Sequence, residues 1–218
     1  MEYDARHNLQ ILKVLKPITL YHLDETAAKS LIMDPLHGRI TVDDDSADYL
    51  YKLTSGHPYL IQFILKELVD RAKVERRPII HKDDVKRFEH VMISEGPAYD
   101  AQFKVLDSDY SIADVMDPAR AKLGKGVLAL IARLAGEERG GWVAIDRICA
   151  GLSVHNCSPE DTHELLDHLY RAKILEEREL GGMLCFRIAI PLLRKRYIRQ
   201  NLYIRYFPAL RRTAGRRR

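Results

Sequence analysis

Apolar positions recur every three or four residues along most of the chain and alternate in one place only, near residue 186. Ile61, Ile64, Leu65, Leu68, Val69 and Ala72 form one such stripe, which predicts a core-facing helix opening at Pro58. A first-turn proline loses nothing there, because that N–H would be unpaired anyway. Ahead of it, "PITLYHL" (17–23) predicts a short buried strand, and Asp24 is placed to cap a helix over "ETAAKSLIMDPL". Ala27, Ala28, Leu31 and Ile32 give that helix its apolar stripe, and Pro35 and Gly38 end it. "RITV" reads as a brief extended link. "DDDSADYLYKLTSG" predicts a second helix, with carboxylates at its positive end and Gly56 at the left-handed position past its last turn. "HKDDVKRFEHVMIS" predicts a fourth.

The pattern weakens between Ser94 and Asp117, where one short helix is expected around "YDAQFKVL". It returns in "PARAKLGKGVLALIARLAGEE", a helix, followed by a turn and short extended segment at "RGGW" and a helix over "AIDRICAGL". "SPEDTHELLDHLYRAK" predicts a third helix with Ser158 as cap, Pro159 at its first position and Asp161 near the place of a capping-box acid. Leu184, Phe186, Ile188 and Ile190 then alternate, and Gly181-Gly182 permits the tight turn of a β-hairpin. A helix over "PLLRKRYIRQNLYIRYF" closes the pattern. Three helices followed by a hairpin is the order of a winged helix-turn-helix. The expected fold is mainly α: a helical bundle over 1–94, a linker over 95–117, a winged helix over 118–205 and a basic tail over 206–218.

Composition narrows the class. The 46% hydrophobic and 30% charged content is that of a globular protein, and no apolar run approaches the roughly 18 residues of a membrane span. Three cysteines without a CxxC pair lead to the expectation of a reduced, cytoplasmic setting. The net charge of +4 conceals an asymmetry: ten Lys or Arg and no acid lie from Arg194 onward, leaving 25 basic against 31 acidic residues before it.

The segment "TSGHPYLIQ", set between two helices and followed by a linker and a winged-helix order, resembles the C-terminal lid and winged-helix region of AAA+/STAND-like P-loop ATPases, in particular the archaeal and bacterial members carrying a "GGHPYLLQ"-type segment. The resemblance runs from about Ile18 to Tyr203. It implies that Gly56, His57 and Pro58 lie beside the base and ribose of an ATP or ADP held by a P-loop core. A free helix N-terminus is compatible with that role. Gly-His-Pro is also an ordinary tight turn between helices.

The sequence departs from the family in its chemistry. No G-x-x-x-x-G-K-[ST] occurs, and Gly124-Lys125 lies within a predicted helix rather than after a strand. No Walker B strand supplies a magnesium ligand. The chain is therefore expected not to be an enzyme, to hold no cofactor by itself, and to be the distal part of a longer protein or the partner of a separate ATPase core. In the plant-resistance and apoptotic members a winged-helix histidine meets the ADP phosphate; Ile190 stands at that place here.

A winged helix raises the question of nucleic acid. The outward stripe of its third helix is Glu160, His163, Glu164, Asp167 and Arg171, an unfavourable surface for a polyanion. That face suits solvent or a protein partner, which gives an adaptor alternative. The rival candidate for DNA or RNA is the C-terminal run, with Arg194, Lys195, Arg196, Arg199, Arg211 and Arg212 interleaved with Tyr197, Tyr203, Tyr206 and Phe207. A polybasic membrane contact lacks a lipid anchor. His155, Cys157, His163 and His168 do not have zinc-site spacing, and Asp43-Asp44-Asp45 reads as capping charge at a helix start.

Overall fold

A computed structural model describes residues 22–36, 38, 40–94, 99, 103, 118–136, 140–155 and 157–202, with the backbone alone for 118–122. The described residues are mainly helical, with two small sheets.

The N-terminal half begins with α1 (Glu25–Met33), capped by Asp24, whose carboxylate accepts from the Ala27 N–H at 2.8 Å. Ala28 and Ile32 are buried and Leu31 is half-buried, whereas Ala27, expected in the same stripe, faces solvent in the first turn. A 3-10 turn (Asp34–Leu36) leads to β1 (Thr41–Val42), α2 (Asp44–Thr54), α3 (Pro58–Val74), β2 (Ile79–Ile80) and α4 (Lys82–Ser94). Asp43 caps α2 by accepting from the Ser46 N–H at 2.7 Å, so the aspartate run does serve a helix start. Every residue of the α3 stripe is buried, joined by Leu60.

The "RITV" link is more than a link. Thr41–Val42 pairs in parallel with Ile79–Ile80, a contact that local pattern does not signal because the partners lie across two helices. Val42 and Ile80 point into the core, while Thr41 and Ile79 face out. The expected strand at 17–23 lies outside the described residues except for His22 and Leu23, which belong to no helix or strand. Of the short helix expected around 99–106, only Tyr99 and Phe103 are described, both helical. Tyr99 packs edge-on against Phe63 and Phe88, at 6.1 and 5.7 Å between ring centroids.

The C-terminal half is built on α5 (Pro118–Ala135), in which Val127, Leu128, Ala129, Leu130, Ile131 and Ala132 are consecutively buried. A helix apolar all round must be covered on several sides. Here β3 (Val143–Ala144), α6 (Ile145–Ser153), β5 (Met183–Ile188) and α8 (Pro191–Arg199) cover it. Gly124-Lys125 lies inside α5. Between α6 and the hairpin runs α7 (Pro159–Arg171), with Leu165, Leu166 and Leu169 buried. Ser158 caps it, its Oγ accepting from the Asp161 N–H at 3.0 Å. The Asp161 carboxylate takes the Ser158 hydroxyl at 2.8 Å.

The hairpin is β4 (Leu175–Leu180) with β5, closed at Gly181 and Gly182, whose φ values of +59° and +77° are those of a tight primed turn. The extended segment after "RGGW" joins as a third strand, giving the order β3-β5-β4. The closing helix stops at Arg199, and Asn201 with φ +48° breaks it; residues from 203 onward lie outside the described set. α8 packs against α5 and β5 on one side and against α2 and α4 on the other, so it joins the two halves. Among the described residues no helix is long and apolar enough to cross a membrane.

Candidate functional site

The corner between α2 and α3 is made by two successive left-handed residues, Ser55 with φ +51° and Gly56 with φ +72°. The Gly56 N–H donates to Tyr51 O at 3.3 Å, the His57 N–H to Thr54 O at 3.1 Å, and Gly56 O accepts from the Leu23 N–H at 2.9 Å. Glycine is required here for space as well as for φ: a Cβ would stand 2.1 Å from the Leu23 carbonyl oxygen. His57 is 8% exposed and meets His22 edge-on, at 5.3 Å between centroids. Burial, and then the neighbouring His22, push the His57 imidazole down to about 4. Burial also lowers His22, with a backbone hydrogen bond at Ser55 pulling the other way.

Gly56 and His57 are thus enclosed, with Pro58 half-buried. The open surface lies one residue earlier. Beside Ser55 a cleft of about 470 Å³ separates the two halves of the protein. Its N-terminal wall includes His22, Tyr51, Lys52 and Ser55. Its C-terminal wall includes Glu176, Arg187, Ala189 and Arg194. Ser55 also crosses the seam, donating its hydroxyl to Ala189 O at 2.6 Å. Ile190 is 1% exposed and serves as the residue before α8, so its side chain belongs to the core.

The cleft charges are unequal in their commitments. Arg187 Nε and Nη2 stand 2.6 and 2.5 Å from Glu176 Oε2, across the strand pair, and its guanidinium lies 4.5 Å from the Trp142 ring centroid. Arg194 is half-buried and no carboxylate pairs with it among the described residues. Burial lowers its guanidinium from the ordinary range, and the Arg187 charge adds to that. It lies across Gly141, where a Cβ would fall 1.6 Å from its Nη1.

The basic residues assigned to nucleic acid divide differently. Lys195 is salt-bridged to Glu89 at 2.5 Å. Arg196 is 5% exposed, its guanidinium carbon 3.8 Å from the Phe103 ring centroid. Arg199 is exposed, and Arg211 and Arg212 lie outside the described residues. On α7 the outward stripe stands as expected, with Glu160, His163, Glu164, Asp167 and Arg171 all exposed and Arg171 paired to Asp167 at 3.0 Å. Among the described residues no group of three or more His, Cys, Asp or Glu is arranged to hold a metal. Cys157 is buried with its sulfur 3.5 Å from Thr162 Oγ1.

Lys52, Glu176 and Arg187 were not singled out by sequence. The pairing of the last two was accessible, since a turn at Gly181-Gly182 sets Glu176 opposite Arg187. Arg187 is also the one charge in the otherwise apolar run from Met183 to Ile190. Lys52 carries no such signal; it reads as an exposed helix lysine. Comparison of the chain with family models, with curated proteins and with solved structures finds no match in any of the three.

Proposed function

We propose that the chain is the non-catalytic lid and winged-helix portion of an AAA+/STAND-like P-loop ATPase. Residues 22–94 would serve as the lid, and the helices and hairpin from 118 onward as the winged helix. A P-loop core, in the same longer chain or in another protein, would hold ATP or ADP, and this module would relay its nucleotide state to a partner. The observation that carries the proposal is the bond from Ser55 to Ala189, which ties the Gly-His-Pro corner to the strand–helix junction of the C-terminal half. A shift of the corner on nucleotide exchange would pull directly on β5 and α8. Since Gly56 and His57 are enclosed by His22 and Leu23, a docking core would meet the corner at its Tyr51–Lys52 side. Reading the gene upstream of Met1 tests the proposal. An in-frame Walker A segment, or an adjoining gene for a P-loop core, is expected; a stop codon with neither overturns it.

A second reading, an adaptor docking a protein partner through α7, is favoured by the exposure of Glu160, Glu164 and Asp167 on one face. Reversing Glu160 and Glu164 to Lys should abolish capture of a basic partner peptide while leaving thermal unfolding unchanged. The rival assignment to DNA or RNA rests on Arg199 and the tail. A mobility shift with a log–log salt slope near −0.9 per phosphate would support it, and no shift at low salt would remove it.

A further inference from the structure

The described residues that line the seam cleft do not balance one another in charge. Among the described residues, Lys52, Arg187 and Arg194 line it against one carboxylate, Glu176, which is already held by two nitrogens of Arg187. Arg194 is the residue left over. Half-buried guanidinium groups are normally matched by a carboxylate or a row of carbonyls, because removing the charge from water is costly otherwise. Here the side chain is instead laid across a glycine that leaves it room, within reach of a second arginine that repels it.

From this arrangement we propose that the cleft binds a small phosphate-bearing dianion, with Arg194 as its principal contact and Lys52 as the contact from the opposite wall. The planar fork of an arginine suits two oxygens of one phosphate. The surplus of two positive charges among the described lining residues favours a phosphate or diphosphate over a single carboxylate. The cleft volume of about 470 Å³ falls within the range of small-molecule sites, roughly 300–1,000 Å³. Arg187 contributes field rather than bonds, since Glu176 and the Trp142 ring already occupy it. Lys52 belongs to α2 and Arg194 to α8, so a bound dianion would bridge the halves and stabilise their contact. The inference concerns this chain by itself and does not require an ATPase core.

Calorimetry of the full 218-residue chain with inorganic pyrophosphate tests it. Saturable one-to-one binding is expected below about 10 mM, together with a rise in Tm. Arg194→Gln should weaken binding at least tenfold, Arg194→Lys less, and Lys52→Ala about threefold. Lys66→Gln, exposed on α3 and outside the cleft, should leave it unchanged. ADP binding tenfold tighter than pyrophosphate would identify a nucleotide as the source of the phosphate; equal binding would identify a simple phosphate ester. Absence of saturable binding would overturn the proposal. So would affinity that is the same in wild type, Arg194→Gln and Lys52→Ala, or adenosine binding as tightly as ADP. Lys52 is exposed on α2, so its variant keeps the test valid even if Arg194→Gln unfolds.

Discussion

Glu89 on α4 accepts from Lys195 on α8 at 2.5 Å, joining parts of the chain 106 residues apart. The same carboxylate takes the Tyr49 hydroxyl at 2.5 Å, and burial followed by this bond raises the Tyr49 phenol. Glu89 is only 8% exposed, so it is a buried anion held by two donors from different helices. Glu89→Ala would strip both donors of their acceptor and should cost about 2–4 kcal/mol in urea unfolding. A double-mutant cycle with Lys195→Met should show about 1 kcal/mol or more of coupling. Coupling near zero would mean that the pair does not hold the halves together.

Gly56→Ala should be among the most damaging single-atom-scale changes in the N-terminal half. The new Cβ meets backbone, which cannot swing aside, and the left-handed φ adds its own penalty. A loss of about 2–4 kcal/mol is expected. Gly181→Ala, also left-handed but with no neighbour within 4 Å of the added carbon, should cost only about 1 kcal/mol. Equal losses at the two sites would contradict the close approach of Leu23.

Stability should depend on pH through His57. Its folded value is pushed down to about 4 from an ordinary 6.5, so between these limits the unfolded chain binds the extra proton. The contribution is therefore complete above pH 6.5 and is lost as the pH falls towards 4, with a slope of at most about 1.4 kcal/mol per pH unit. His22 shifts in the same direction and adds to the slope. Denaturant midpoints compared from pH 7 to pH 4.5 should fall more steeply for wild type than for His57→Gln. Parallel curves would show that His57 is not the group responsible.

Arg196 and Arg199 differ by three positions and should differ in kind. Arg196→Ala removes a buried cation from above Phe103 and should lower stability by about 2 kcal/mol, while Arg199→Ala should change it by less than about 0.5 kcal/mol. If a mobility shift is observed, only Arg199→Ala should weaken it without altering the unfolding midpoint. The reverse pattern would return Arg196 to the surface.

Much of the local order was readable from the residues. The caps at Asp24, Asp43 and Ser158, the α3 stripe and the Gly-Gly hairpin each depend on neighbours a few positions apart, and such signals survive in a single sequence. The cleft does not. Its walls bring Lys52 towards Arg194, a relationship that exists only once α8 lies across α2. Arg196 misleads for the same reason. In a run of arginines nothing local marks the one that turns inward, and the ring it covers comes from Phe103. The parallel pair of β1 and β2 was likewise hidden, since two-residue strands leave almost no periodicity.

The contact between Phe103 and Arg196 sets how the two halves share the chain. Phe103 precedes α5 in sequence yet is seated on the last described helix, while Tyr99, four residues earlier, is seated on α3 and α4. The connection is therefore anchored on each half before it reaches the second one. A polypeptide severed after Phe103 would leave both fragments still clasped, through Phe103 on Arg196 and Lys195 on Glu89. Co-expressed as separate pieces, 1–110 and 111–218 should reconstitute one particle, which makes this seam a natural place to split the protein for complementation.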